Sequence, residues 1–525
     1  MMLEQDKWLF FDRGGLTETP GIRKRATENY LKESLERRFP EDEFVWVHVY
    51  ENVTGRFRHR ANLLERFFGE GIGIQGLPDY IEVSVGHRTG EFIEKLIVWS
   101  PVAWNDRFAG TAGGGTGIGG SSYLTRPKNT QRGWTVPFAV MNGFTAATMD
   151  AGNIDGFHDH VLEKSTGRFS TELYENWRVR STHNMTRFGK AIAEILHDRP
   201  VQYSYMNGGS GGGRQSLMEV QNYPEDYDGV WASCPAINWN DFLLGGFWPI
   251  AVMNECRHFL PAEKNQFFID QVRASAGGEE EYFRRQMPVC FDANECVGMR
   301  SPGGRITAED AHVMNEIWKG PHRHNGDRLW YGYYPGVKNW QKVIPIGTYY
   351  YPLLTRNKVK EFILGTYHGR WITGNPKQTF EGITIGELEK LYDTGRKKFG
   401  NADGNRADID AFAAHGGKLL LDHGMDDPLI PTEGTISYYK ELQKHFGEEK
   451  LQEFVRMYIT PGDNHGNCWG NGPGITECDG MKALMDWRER GINPGKIRKV
   501  RVDKKTGLVV EESEQEAWRE KGRKE

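Results

Sequence analysis

The feature that most constrains the fold is a glycine-rich turn, residues 208–212, with Ser210 at its centre. An alternating apolar run, 201–206, precedes the turn, and residues 213–220 follow it with helical spacing. This strand–turn–helix order predicts a nucleophile elbow, in which small neighbours let strand and helix pass closely around a serine in a strained conformation. The alternative is a glycine-rich loop with a bystander serine, because G-x-S-x-G alone is a common match.

A serine nucleophile needs a base, and the leading candidate is His465. It lies among turn residues after a predicted strand at 454–459. A loop position suits a base that must reach the serine, although most single loop histidines are solvated surface residues. His423 and His415 compete with it, and His423 is expected to be structural.

The base needs an orienting carboxylate, and three follow a predicted strand at 417–421. Asp422 comes directly after the strand. Asp426 and Asp427 are neighbours, so only one of them can face the histidine. The chain order of serine, carboxylate and histidine, each after a strand, matches the order in α/β-hydrolases. The order alone leaves all three carboxylates open.

An oxyanion hole needs backbone N–H donors. Gly211, directly after the candidate nucleophile, is expected to supply one. A glycine-rich loop, 110–117, follows a predicted strand at 96–99, and its Gly114 or Gly115 is expected to supply the other. Glycines there would let the backbone approach a substrate carbonyl.

Residues 115–120 also match G-x-G-x-x-G, the fingerprint of a dinucleotide-binding turn. That fingerprint requires a helix immediately after it, and residues 121–127 are a poor helical sequence. The sequence therefore disfavours a dinucleotide site and predicts no cofactor.

The composition indicates a soluble globular protein with more than one ordinary core, because 525 residues include 38% hydrophobic and 12% aromatic side chains. A net charge of -5 argues against nucleic acid and anionic membranes as partners, and no apolar run is long enough to cross a bilayer. The first seven residues carry acidic side chains where a secretory signal would be basic, which predicts a cytoplasmic location.

Six cysteines are present, and none forms a C-x-x-C pair, so a structural zinc site is not expected. Cys290 with Cys296, and Cys468 with Cys478, could form disulfides. This number of cysteines does not require an oxidising compartment.

Strand and helix patterns alternate before residue 240 and return after residue 395, which predicts a mostly parallel sheet with helices on both faces. Residues 136–141 are among the predicted strands. Residues 241–395 carry longer charged helices, many aromatics and little strand periodicity. We therefore expect a core built from residues 1–240 and 396–525, with 241–395 inserted as a lid over the strand ends.

Several motifs in one order resemble the tannase and feruloyl esterase family of α/β-hydrolases. They are residues 210–215, 223–229 and 235–239 at and after the elbow, 104–108 leading into Gly114, 416–431 around the carboxylates, and 461–465 at the base. The resemblance covers roughly residues 80–495. It places the acid at Asp427 rather than Asp426, and it implies an α/β-hydrolase fold with a large lid.

The resemblance implies a serine carboxylic ester hydrolase that cleaves esters of hydroxybenzoic or hydroxycinnamic acids through an acyl-serine intermediate. The site residues it implies are the nucleophile Ser210, the base His465, the acid Asp427, and Gly211 with Gly114 or Gly115 in the oxyanion hole. Two other functions stay open, namely acyl transfer to an alcohol and ligand binding without catalysis. The intact order of serine, aspartate and histidine argues against the second.

Two departures from the family pattern bear on the site. The family carries a cysteine before the serine and another after the histidine, joined as a disulfide, and here these positions are Gly209 and Gly466. Their joint absence suits a reducing compartment and leaves the positioning of His465 to packing. The family's lid often holds calcium, but residues 290–296 lack suitably spaced carboxylates, and the glycine of residues 401–405 comes too early for an EF-hand loop, so no metal is expected.

Overall fold

The computed structural model describes residues 11–57, 74–114, 135–152, 161–163, 165–337, 349–350, 359–360, 363–465, 471–503 and 508–519. Three residues named above, Gly115, Gly466 and Cys468, lie outside these ranges.

A nine-stranded sheet forms the centre of the described structure. Its strands are β1 (Phe44–Asn52), β2 (Tyr80–Thr89), β3 (Phe92–Pro101), β4 (Arg107–Thr111), β5 (Thr145–Met149), β6 (Tyr203–Gly209), β7 (Gly229–Ser233), β8 (Lys418–Gly424) and β9 (Val455–Thr460). Their order is β1-β2-β3-β5-β4-β6-β7-β8-β9. The neighbours from β5 through β9 pair in parallel, and those from β1 to β5 pair antiparallel. The predicted mostly parallel sheet is confirmed.

Helices surround this sheet. They are α1 (Ile22–Arg25), α2 (Glu28–Arg38), α3 (Val136–Met141), α4 (Thr171–Glu175), α5 (Ser181–His197), α6 (Gly211–Asn222), α7 (Trp239–Gly245), α8 (Trp248–Glu255), α9 (Ala262–Ser275), α10 (Glu279–Arg284), α11 (Ala308–Lys319), α12 (Ile363–Thr373), α13 (Ile385–Phe399), α14 (Asp410–Ala414), α15 (Thr432–Phe446), α16 (Glu448–Phe454) and α17 (Glu477–Arg490). A π-helical turn, Asn176–Arg180, joins α4 to α5.

The two faces of the sheet bury separate apolar clusters. In β8, Leu419 and Leu421 belong to one cluster and Leu420 to the other, because successive side chains of a strand point to opposite faces. Helices α5 and α6 pack on the first face, and α3 and α17 pack on the second. The sheet is thus covered on both sides, as parallel strands require.

The predicted strand at 136–141 is wrong, because these residues form helix α3. The Thr135 side chain caps it by accepting a hydrogen bond from the Phe138 amide at 3.3 Å, and Pro137 lies in its first turn. All six residues of the helix are buried. A short, continuous apolar run does not distinguish a buried helix from a buried strand by its periodicity. The strand of this region is β5, which begins four residues after the helix ends.

The described chain between β7 and β8 adds no strand to the central sheet. It contains helices α7 to α14 and two hairpins of two-residue strands, Arg300–Ser301 with Gly304–Arg305 and Tyr349–Tyr350 with Val359–Lys360. This largely helical segment is referred to below as the insertion.

After α17 the chain forms a small antiparallel sheet of β10 (Gly474–Ile475), β11 (Lys496–Val502) and β12 (Val509–Glu516). Within the described ranges, the helices are all too short or too polar to span a bilayer.

Candidate active site

Ser210 lies at the sharp turn between β6 and α6. Its backbone has φ 59° and ψ −123°, a left-handed φ that an L-residue rarely adopts. Hydrogen bonds hold this conformation on both sides: the Ser210 amide donates to the Ser233 carbonyl at 3.0 Å, and the Ala236 amide donates to the Ser210 carbonyl at 2.9 Å. The strand, strained serine and helix are the geometry of a nucleophile elbow.

Three glycines around the elbow have no room for a side chain. A Cβ on Gly208 would overlap the carbonyl of Gly212, and one on Gly212 would overlap the carbonyl oxygen of Gly113. A Cβ on Gly213 would lie 2.7 Å from the Cα of Pro235. The glycine run therefore exists because backbone packs directly against backbone on both sides of Ser210.

The described part of the predicted glycine loop, up to Gly114, lies against the first turn of α6, since a Cβ on Gly212 would lie 2.2 Å from the Gly113 carbonyl oxygen. It follows β4 rather than the predicted strand at 96–99, which is part of β3, and β4 lies beside β6. The Gly113 amide donates to the Gln215 Oε1 at 2.7 Å, which ties the loop to the first turns of α6. Gly211 begins that helix and Gly114 is the last described residue of the loop, whereas Gly115 lies outside the described residues.

The structure brings Asp427 and His465 together at the ends of β8 and β9. The Asp427 Oδ2 and the His465 Nδ1 are 2.7 Å apart. Asp427 is fully buried, and its Oδ1 accepts the amides of Leu429 and Ile430 at 2.8 and 3.0 Å. The side chain of His465 is 23% exposed, so one edge of the imidazole remains accessible to a reactant.

The electrostatics of this pair favour a charged carboxylate. Burial alone would raise the pKa of Asp427, but His465 and His423 hold it well below its usual range. Burial lowers the pKa of His465, and the charges of Asp427 and Cys234 outweigh burial and raise that pKa to about 10. An ionised Asp427 would thus stabilise an imidazolium on His465.

Asp426, the neighbour of Asp427, has a different set of partners. Its Oδ2 accepts the Gly462 amide at 3.0 Å, and its own amide donates to the Asp463 carbonyl at 2.9 Å. Arg285, from the insertion, contacts both of its carboxylate oxygens at 3.2 and 3.3 Å. Asp426 therefore holds the loop that leads to His465, while Asp427 contacts the imidazole itself.

His423 and Asp422 are buried supports of the same region. The His423 Nε2 lies 3.0 Å from the Asp427 Oδ2, and its Nδ1 lies 2.8 Å from the Thr435 hydroxyl. The Trp231 indole donates to the Asp422 Oδ1 at 2.7 Å, and the Ser233 hydroxyl donates to the same oxygen. Asp422 thus accepts hydrogen bonds from two side chains of β7.

Cys234 is a site residue to which the sequence assigned no role. It directly follows β7, is fully buried and has a left-handed φ of 33°. Its thiol, the His465 imidazole and the Asp427 carboxylate place their nearest ligand atoms within 4.8 Å of one another. Because Ser233 accepts the amide of Ser210, Cys234 also connects the elbow to the Asp427–His465 pair. No sequence signal marks this position, since the contact joins residues more than 190 positions apart.

The described cysteines are consistent with the glycine that replaces a family cysteine before Ser210. Gly209, where the family carries a cysteine, is the last residue of β6. Cys234, Cys256, Cys290 and Cys296 are free thiols, so the disulfide considered between Cys290 and Cys296 is not formed.

Comparison with known proteins identifies the family of this chain. The family model described as "Tannase and feruloyl esterase" matches residues 91–522. The chain belongs to this family. A probable feruloyl esterase of Arthroderma benhamiae is 30% identical to it over an alignment of 442 residues, which covers 79% of this chain and 77% of the relative. The protein is therefore a carboxylic ester hydrolase of a serine hydrolase family.

Solved structures of the family share the fold of this esterase. Tannin acyl hydrolase from Aspergillus niger superposes with a TM-score of 0.76 at 19% identity, covering 96% of this chain and 93% of its own. Feruloyl esterase B from Aspergillus oryzae superposes with a TM-score of 0.72 at 18% identity, covering 93% and 96%. These likenesses confirm the predicted α/β-hydrolase fold.

Proposed function

We propose that this esterase hydrolyses esters of hydroxylated aromatic acids through an acyl-serine intermediate on Ser210. The observation that carries the proposal is the connection of the elbow to the Asp427–His465 pair. Ser210 donates its amide to Ser233, and the next residue, Cys234, lies within 4.8 Å of the pair. A strained serine, a partly exposed imidazole and a buried carboxylate are the parts that acyl transfer through serine requires.

The proposed reaction has two halves. The Ser210 Oγ attacks the ester carbonyl as its proton passes to His465, and a tetrahedral oxyanion forms. The bond to the alcohol oxygen then breaks, and His465 returns the proton to the leaving alcohol. Water repeats the sequence on the acyl-serine, so that the carboxylic acid is released and Ser210 regains its proton.

The oxyanion would form between two backbone segments. The Gly211 amide stands at the amino terminus of α6, where the helix dipole favours negative charge. Gly114 belongs to the loop that Gln215 ties to that helix through Gly113, and Gly115 follows it in the chain. We assign the oxyanion hole to Gly211 with Gly114 or Gly115.

We assign the insertion the role of a lid, because its side chains contact the loops that carry the acid and the base. Arg285 contacts Asp426, which supports the base loop. The Tyr334 hydroxyl donates to the Glu433 carboxylate at 2.7 Å, at the start of α15 just after the acid loop. A change in the insertion would therefore alter both loops, which suits a segment that shapes the acyl pocket.

The aromatic acyl group is inferred from the relatives. One is named a tannin acyl hydrolase and others are named feruloyl esterases, which points to galloyl or feruloyl groups as acyl donors. Both groups carry a hydroxylated aromatic ring, which is joined to the ester carbonyl directly in galloyl and through a CH=CH unit in feruloyl.

A panel of galloyl, feruloyl, terephthaloyl and simple alkyl esters tests the proposal. We expect the wild type to prefer an aromatic acyl group, and Ser210→Ala to lose nearly all turnover. Ser216→Ala is the matched control, because that buried serine donates to the Gly212 carbonyl at 3.0 Å within the same helix. Full activity in Ser210→Ala would refute the nucleophile, and a preference for alkyl esters would refute the substrate class.

Two further measurements complete the test. Mass spectrometry of the wild type quenched during turnover should show one added acyl group on the peptide that contains Ser210. Product analysis with water alone and with added alcohol separates hydrolysis from acyl transfer. Predominant ester exchange at low alcohol concentration would contradict the proposed hydrolase.

A further inference from the structure

A second cluster of ligand-type side chains lies at the far end of the nucleophile helix. His183 comes from α5, Glu219 from the last turns of α6, and Asp226 from the loop between α6 and β7. One imidazole nitrogen and one oxygen from each carboxylate all lie within 4.8 Å of one another. His183 is 36 positions before Glu219, so only the fold brings its imidazole to the two carboxylates.

Glu219 is the unusual member of the cluster. It is 1% exposed, and neither of its carboxylate oxygens meets a hydrogen-bond donor among the described residues. A buried carboxylate without donors is costly, and a second carboxylate beside it adds repulsion. Burial and the neighbouring Asp226 raise the pKa of Glu219 well above its usual range. The position therefore calls for a cation or a proton.

The other residues of the cluster are held beside Glu219 by specific contacts. The His183 Nδ1 lies 2.6 Å from the Asp226 Oδ2, and the imidazole stacks on the Tyr223 ring with centroids 3.6 Å apart, which fixes its plane. The Lys190 ammonium donates to the main-chain carbonyl of Asp226, and its charge lowers the pKa of Glu219 without offsetting the effects of burial and Asp226. The side chains of His183 and Asp226 are 26% and 15% exposed, which opens a path from solvent.

We propose that His183, Glu219 and Asp226 bind a first-row divalent transition-metal ion, with zinc as the reference ion. One imidazole nitrogen and two carboxylate oxygens are ligands that such ions accept, with water completing the shell. Ligands about 2.1 Å from a common ion lie at most about 4.2 Å apart, so small side-chain rotations bring the cluster to coordinating distance. The ion would neutralise the charge of the Glu219 carboxylate. It would also link α5 and α6 to the loop that precedes β7.

This metal site is separate from the ester chemistry. Glu219 is nine positions after Ser210, which is about 13 Å along a helix. The ion would act on stability by fixing the end of α6 against α5. It would not touch the substrate, and its test does not depend on the proposed function.

The test is a zinc titration of protein stripped of metal, carried out on the full chain with Cys234→Ala. That substitution removes the thiol of the other ligand cluster, formed by Cys234, Asp427 and His465. We expect one equivalent of bound zinc after dialysis, and a rise in Tm of roughly 2 °C at about one hundred times the Kd. Cobalt(II) should bind with a spectrum of nitrogen and oxygen ligands and without thiolate charge transfer.

Variants locate the bound ion. Glu219→Gln and His183→Gln should each lose the bound equivalent and the zinc-dependent rise in Tm. His445→Gln is the matched control, because His445 pairs with Asp410 at 2.7 Å on the exposed surface. If Glu219→Gln does not fold, the partly exposed His183 decides the result alone.

Three results would overturn the proposal. They are less than about a tenth of an equivalent of zinc on the stripped and reloaded protein, an unchanged Tm on zinc addition, or full retention of zinc by His183→Gln. The first two would mean that a shared proton, rather than a metal, neutralises Glu219 and Asp226.

Discussion

The two halves of the candidate active site are built by different means. Around Ser210, backbone packs on backbone, and Gly208, Gly212 and Gly213 leave no space for a side chain. Around His465, side chains do the positioning: Asp427 binds the imidazole, Asp426 binds the loop before it, and Cys234 lies against both. The half around Ser210 has no space for an added side-chain atom. In the half around His465, the position of the imidazole depends on the chemical identity of each polar group that contacts it.

The difference bears on the missing disulfide of the family. A disulfide would tie the residue before Ser210 to the residue after His465, but Gly209 occupies the first of these positions. In its place the described structure joins the halves through the Ser210–Ser233 hydrogen bond and the neighbouring Cys234. Non-covalent contacts of this kind can be removed one at a time, so the comparison is open to mutation.

The largest effect is expected from Asp427→Asn. The asparagine keeps the shape but removes the charge that stabilises the imidazolium and can favour the wrong imidazole tautomer. Aspartates in other Ser-His-Asp triads are worth about 10⁴-fold in kcat, and we expect a loss of roughly 10³- to 10⁴-fold here. Steady-state kinetics on the preferred ester provides the measurement.

Asp426→Asn is the matched neighbour of that substitution. It weakens contacts to Gly462 and Arg285 and leaves the imidazole partner in place. We expect a loss of about tenfold together with a lower Tm, because a buried ion pair is broken. Equal losses in the two variants would mean that the two carboxylates do not divide their roles as the structure indicates.

Gly212→Ala tests the backbone-built half. The new methyl group would overlap the Gly113 carbonyl oxygen and push the glycine loop away from α6. We expect kcat to fall by about 10²-fold, the cost of losing one oxyanion donor. Gly382→Ala is the control, since nothing lies within 4 Å of its would-be Cβ and its φ is not left-handed. Wild-type activity in Gly212→Ala would show that the loop tolerates displacement.

The sequence predicted the backbone-built half more completely than the other. Glycine spacing around Ser210, with a strand before it and a helix after it, is a local pattern, and β6 and α6 lie where it indicated. The sequence predicts a strand where helix α3 lies, because all residues of this helix are buried and show no alternation of apolar and polar side chains. Local pattern is thus reliable for turns that need glycine and weak for buried apolar runs.

The side-chain half was only partly predictable. Chain order indicated His465 and three carboxylates, and family resemblance was needed to prefer Asp427. The roles of Asp426, Cys234 and His423 depend on contacts between β7, β8 and β9, which no local pattern encodes. For the same reason, the sequence does not predict the cluster of His183, Glu219 and Asp226, although residues 223–229 carry part of the family resemblance.

Gln215→Met probes a side chain that holds the backbone-built half in place. Its Oε1 accepts the Gly113 amide at 2.7 Å, and methionine keeps the volume but has no comparable acceptor. We expect kcat to fall about tenfold with little change in KM, because the loop loses its position mainly in the transition state. Gln221→Met, at the other end of the same helix, should leave kcat unchanged. A rise in KM alone would indicate a role in substrate binding instead.

Cys234→Ala is expected to have the smallest effect on activity. The direction in which it shifts the pH dependence of kcat/KM is the informative result. Asp427 and Cys234 together raise the pKa of His465 to about 10 against burial, and the base must be neutral to accept a proton from Ser210. Removing the thiol lowers the pKa, so the acid limb of the kcat/KM profile moves to lower pH and activity at pH 7 rises by up to about threefold. Cys256→Ala, on a partly buried free thiol that follows α8, should leave the profile in place. An acid limb that moves to higher pH would mean that Cys234 holds His465 by packing rather than by charge, which would make the two halves of the site more alike than their contacts suggest.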